Sequence, residues 1–118
     1  MQMHDYEKLV VWQKSMDFVI FVYEITKKFP KNEDYALTSQ IRRAVISVPS
    51  NIAEGSRRNT QKDFAHFLTM SLGSLAELDT QIKIAERLKY VSKKEEIELY
   101  EKLSEIMRML NKLIERNR

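Results

Sequence analysis

The chain has 118 residues, 43% of them hydrophobic and 31% charged, with two glycines, two prolines and no cysteine. So few breakers exclude the many turns of a β-sandwich or barrel, and the missing thiol excludes disulfides and thiolate chemistry. The formal net charge of +3 and the pI near 9.1 are mild beside those of dedicated nucleic-acid binders.

Length and composition together point to one domain over residues 1–118. The N-terminal stretch Met1-Gln-Met-His-Asp-Tyr-Glu7 is polar and acidic, unlike a signal peptide. The most apolar window, Phe18 to Tyr23, is closed off by Asp17 and Glu24, far short of the ~20 residues of a membrane span. A soluble cytoplasmic protein, without membrane contact, is the expectation.

The first predicted helix covers residues 6–29. Leu9, Trp12, Met16, Val19 and Tyr23 form one stripe at helical spacing, and Val11, Phe18, Val22, Ile25 and Phe29 form a second beside it. Two adjacent stripes imply burial on more than one side. Pro30 ends the helix by pushing Phe29 out of the α region.

The second predicted helix covers residues 33–55, with Asn32 as its N-cap and Glu33 and Asp34 complementing its dipole. Ile41, Val45, Val48 and Ile52 keep the apolar beat. Beside them runs a polar row of Gln40, Arg43, Ser47, Asn51 and Glu54. Short hydrogen-bonding side chains are poor choices for a helix interior, so the row suggests a face that is packed and bonded, a structural role. Pro49 permits either a kinked continuous helix or a break. The unslipped apolar phase favours the kink, and Gly55 would then supply a left-handed C-cap.

The third helix is predicted over residues 60–89, opened by Thr60-x-x-Asp63. Phe64, Leu68, Ser71, Leu75, Leu78, Ile82 and Ala85 form its seam, and Gly73 amid serines suggests room for a bulky neighbour. The fourth, residues 93–116, follows a Ser92/Glu95 capping box and carries Leu99, Leu103, Ile106, Leu110 and Leu113. Short connections between long helices give an all-α, antiparallel up-down-up-down four-helix bundle.

These elements carry a pattern that resembles the 23S rRNA-intervening-sequence four-helix bundle protein family of bacteria. The pieces are Leu9-x-x-Trp12-Gln13, Phe29-Pro30, Leu37-Thr-Ser-Gln-Ile-Arg-Arg43, Ser47-Val-Pro-Ser-Asn-Ile-Ala-Glu-Gly55, Phe64-x-x-Phe67-Leu68 and Gly73-Ser74-x-x-Glu77-Leu78. Together they span nearly the whole chain. The resemblance implies self-assembly, commonly as a ring-like homopentamer, and no defined enzymatic activity. A distant relative serves as accessory protein to a reverse transcriptase and binds nucleic acid through a basic pentameric surface.

Candidate chemistry is sparse. Arg42, Arg43, Arg57, Arg58 and Lys62 form a candidate phosphate-binding corner between helices 2 and 3, with Gln40 and Asn59 beside it. Competing with this is a reading in which Arg43, Asn51 and Glu54 hold the bundle or its subunits together, with Arg43 or Arg58 as the partner of a buried Glu54, while Arg57 and Arg58 form a solvated loop. Asp63-x-x-His66 is too little for a metal centre, since the remaining histidine is His4 near the chain start. No Ser–His order or glycine-rich phosphate loop is visible, and Tyr90 is the aromatic placed for stacking. The expectation is therefore a homo-oligomer, not an enzyme, with no cofactor and no small-molecule substrate. RNA or DNA is its candidate ligand, and a pure protein–protein scaffold is the alternative.

Overall fold

The computed structural model describes residues 5–118, so His4 lies outside the described residues. Four helices account for most of the chain: α1 (Val10–Thr26), α2 (Leu37–Ser56), α3 (Gln61–Arg87) and α4 (Lys93–Arg116). Each packs against two neighbours, α1 on α2 and α4, and α3 on α2 and α4. The result is an antiparallel up-down-up-down bundle with extents of 47 × 25 × 20 Å.

The core is built by one stripe from each helix. Val11, Phe18, Val22, Ile25 and Phe29 meet Ile41, Val45, Val48 and Ile52, then Phe64, Leu68, Leu75, Leu78 and Ile82, then Leu99, Leu103, Ile106, Leu110 and Ile114. Of the two stripes on α1, the Val11–Phe29 row faces inward. The Leu9–Tyr23 row flanks it, half-covered except for exposed Met16. On α4, Ile114 is buried and Leu113 only partly so.

The helix starts depart from the sequence reading for identifiable reasons. Asp5 caps a short 3-10 turn, Tyr6–Lys8, and Leu9 is then extended, so α1 begins only at Val10. Asn32 is not an N-cap, because Pro30 leads into another 3-10 turn, Lys31–Glu33. α2 instead starts at Leu37, whose N–H donates to Glu33 Oε1 at 3.3 Å. The acid placed in the first turn by pattern thus acts from outside the helix.

α2 runs unbroken through Pro49. The ring removes a donor from the Val45 carbonyl. One turn later α3 ties itself to the same stretch, with Ser71 Oγ donating to the Val48 carbonyl at 2.8 Å. Gly55 is no left-handed cap either. It lies inside α2 and no glycine among the described residues has positive φ. The left-handed residue is Lys89, φ 66°, in the α3–α4 turn.

Candidate nucleic-acid interface

The five predicted basic residues do not meet. Arg43 and Arg57 are separated by 14 positions of one helix, about 21 Å at 1.5 Å per residue. Arg42 is already committed within the bundle. Its Nε–H donates to Thr26 Oγ1 at 2.9 Å, and its guanidinium lies 4.3 Å from the Tyr23 ring centroid. Thr26 in turn donates to the Val22 carbonyl at 2.8 Å. This chain locks α2 to α1, so Arg42 is a bundle residue, not part of an open corner.

Arg57, Arg58 and Lys62 do share one end. All three are exposed. Arg57 lies over the Tyr6 ring at 5.5 Å, and Arg58 pairs with Glu54 at 3.1 Å while covering Phe67 at 4.6 Å. Lys62 forms no ion pair among the described residues. Antiparallel packing brings the start of α1 and the end of α4 to this same end. A groove there has an apolar floor of Leu9, Val11, Met109 and Leu113, with Lys8, Lys112 and Arg116 also lining it.

Cations outnumber acids at the ends of the bundle and not along its middle. Residues 5–13, 54–66 and 108–118, which make up this end, hold eight of the 20 cations and five of the 17 acids. Residues 27–39 and 83–96, at the opposite end, hold another eight cations and five acids, and the middle of the bundle holds four cations and seven acids.

The polar row is graded by depth. Ser47 Oγ is 2.7 Å from the Ala44 carbonyl and 2.6 Å from Ser74 Oγ on α3. Asn51 Nδ2 donates back to the Ser47 carbonyl at 2.9 Å and is half-buried. Gln40 and Glu54 point outward, with the Glu54 side chain 54% exposed. Sequence spacing finds the row but not this gradient, because α3 covers only one flank of it.

Two other expectations fail on geometry. Tyr90 is not free for stacking: its ring packs on Phe29 at 5.2 Å and its hydroxyl donates to Glu33 at 2.8 Å. That bond holds the Tyr90 phenol above its usual pKa range. Gly73 receives no bulky neighbour, since a Cβ there would meet nothing within 4 Å.

Among the described residues no three His, Cys, Asp or Glu side chains gather into a possible metal site. Asp63 closes the first turn of α3 with its N–H on Thr60 Oγ1, and His66 is exposed beside the Phe67 ring. No described helix is long and apolar enough to cross a membrane.

A sequence profile described as 23S rRNA-intervening sequence protein matches residues 7–112. The chain belongs to that family. Its fold is similar to the 1.70 Å crystal structure of a protein of unknown function from the S23 ribosomal protein family of Bacteroides thetaiotaomicron VPI-5482. The TM-score is 0.83 at 22% identity, over 90% of this chain and 96% of that one. Among curated proteins no match to the sequence was found. The family match covers α1, α2 and α3 in full and α4 as far as Lys112, including Pro49 and the Asn51–Gly55 stretch of α2.

Proposed function

We infer that this member of the family is a non-enzymatic, self-assembling bundle that contacts RNA or DNA through the end bearing Arg57, Arg58 and Lys62. The observation that supports this reading is the gathering of the exposed cations Arg57, Arg58 and Lys62 with Lys8, Lys112 and Arg116 around one apolar-floored groove at that end. A +3 subunit alone binds a polyanion weakly and with steep salt dependence. In a cyclic assembly the same end of every subunit would fall on one face, and the patch would be multiplied by symmetry. A pentamer is the assembly suggested by the family resemblance.

Support for self-association comes from the outer surface. Val10, Met16 and Ile20 on α1 and Ile46 on α2 are between 40% and 61% exposed. Gln40, Asn51 and Glu54 are assigned to contacts between copies, where their unused polar groups would find partners. The same apolar surface also favours the second reading, a protein scaffold with no nucleic-acid role.

Gel retardation of RNA and DNA at about 50 mM salt separates the two. Retardation that falls steeply with added salt, and is lost in the Arg57→Ala/Arg58→Ala/Lys62→Ala variant, is the expected result. No retardation by the wild-type chain leaves the scaffold reading. Native mass of the particle, measured with and without RNA, reads the subunit number directly.

A further inference from the structure

The start of α2, at the opposite end of the bundle, opens onto a cleft of about 640 Å³, within the range that holds small ligands. Glu33 accepts the Leu37 N–H, but the next two N–H groups, of Thr38 and Ser39, have no acceptor among the described residues. They stand at the positive end of a 20-residue helix, where an anion is favoured. Many helices begin this way, and three further features single this one out.

Thr38 lines the cleft at 4% exposure, and its buried Oγ1 has no hydrogen-bond partner. A hydroxyl left so costs free energy until something bonds it. Arg43, one turn beyond Ser39, lines the cleft exposed and without an ion pair among the described residues. Arg42 beside it is fixed by Thr26 and Tyr23, which stiffens the wall. Lastly, Tyr35 at the cleft is 100% exposed, an aromatic ring on which nothing in the bundle packs. Asp34 also lines the cleft and opposes an anion.

We propose that this cleft binds a nucleoside phosphate, with the phosphate on the Thr38 and Ser39 N–H groups and Arg43, and the base stacked on Tyr35. Two N–H donors and a guanidinium suit a terminal phosphate, and an exposed phenol ring is a sequence-tolerant stacking platform. A free nucleotide and the phosphorylated end of a strand offer the same chemistry. The cleft lies about 28 Å along α2 from Arg57 and Arg58 at 1.5 Å per residue. It therefore stands or falls independently of the basic end.

The test is titration of the full chain, followed by backbone-amide NMR. The probes are adenosine 5′-monophosphate, inorganic phosphate, adenosine, and one oligonucleotide with and without a 5′-phosphate. The nucleotide is expected to shift the Thr38 and Ser39 amides with a Kd below about 1 mM, with phosphate about tenfold weaker and adenosine inactive. Tighter binding of the phosphorylated strand than of the mononucleotide identifies a strand end as the source; the reverse order identifies a free nucleotide.

Arg43→Gln is expected to weaken nucleotide binding about tenfold. Tyr35→Ala should reduce it to the level of phosphate, and Asp34→Asn should tighten it. The proposal is overturned if the two amides do not move at about 1 mM nucleotide. It is overturned equally if phosphate or adenosine binds as well as the nucleotide, or if Arg57→Ala/Arg58→Ala/Lys62→Ala removes nucleotide binding.

Discussion

Gly55 of α2 lies against Phe67 of α3 so closely that a Cβ added to it would come within 2.6 Å of the Phe67 Cβ and 3.0 Å of Phe64 Cδ1. The first of these atoms is fixed to the α3 backbone, so it cannot swing aside. Helix propensity alone would make Gly55→Ala stabilising by about 1 kcal/mol. Overpacking, at about 1–3 kcal/mol, is expected to outweigh it, giving a net loss in denaturant melts. Gly73→Ala is the control: with open space around it, only the propensity gain of about 1 kcal/mol remains. Equal effects at the two glycines would show that α3 yields at Phe67.

Lys89 closes α3 in a conformation that suits glycine. Its N–H donates to the Glu86 carbonyl, and the Tyr90 N–H reaches back to the Ala85 carbonyl, both at 2.9 Å. This is a Schellman ending with a lysine in the left-handed position. Lys89→Gly is expected to stabilise the protein by about 1 kcal/mol, since the side-chain penalty for positive φ is removed while both bonds stay. Thermal melting of the variant measures it. A lower melting point would mean that the Lys89 side chain does more than tolerate the turn.

Much of the fold was legible because its causes are periodic and local. The Phe64-to-Ala85 seam is buried throughout, and the Ser92/Glu95 capping box forms with both of its bonds. What escaped was set by packing between helices. Nothing in the order of residues says that Gly55 rather than Gly73 is the crowded glycine, because both sit beside serines. The candidate site suffered from the same blindness. Arg42 and Arg43 are adjacent in sequence, yet 100° of helical rotation sends one onto Tyr23 and leaves the other exposed. The signal that could have separated them was the apolar stripe itself, since Arg42 is one position from Ile41 on the flank facing α1.

Arg42 and the Arg57/Arg58/Lys62 group should therefore respond oppositely to removal. Arg42→Ala deletes the bond to Thr26 and the stacking on Tyr23, and is expected to cost about 1–2 kcal/mol of stability without altering nucleic-acid retardation. Removing Arg57, Arg58 and Lys62 should abolish retardation while the melting curve stays close to that of the wild type, because exposed ion pairs such as Arg58–Glu54 contribute little. Melting and retardation measured on the same preparations check both halves. Loss of retardation with Arg42→Ala in a fully folded protein would return that residue to the interface.

Tyr100 gives the bundle an alkaline limit. Burial against α3, reinforced by the nearby carboxylates of Asp79, Glu86 and Glu96, pushes its phenol up to about 12 from an ordinary 10.0. The folded state thus holds a proton that the unfolded chain gives up earlier. This contribution to stability is fully present below pH 10 and is lost as pH rises toward about 12. Tyr90, raised by its bond to Glu33, acts in the same direction. The buried Tyr100 hydroxyl makes no hydrogen bond of good geometry, although the Asp79 carboxylate stands close enough to raise its pKa, so Tyr100→Phe removes a poorly satisfied group and keeps the ring. That variant is expected to match or exceed wild-type stability near neutral pH, by up to about 1 kcal/mol. Its stability should also fall less between pH 10 and 12. Denaturant melts of both proteins across that window, with tyrosinate absorbance followed in parallel, measure the difference. An identical alkaline decline in the two would show that Tyr100 is not its origin.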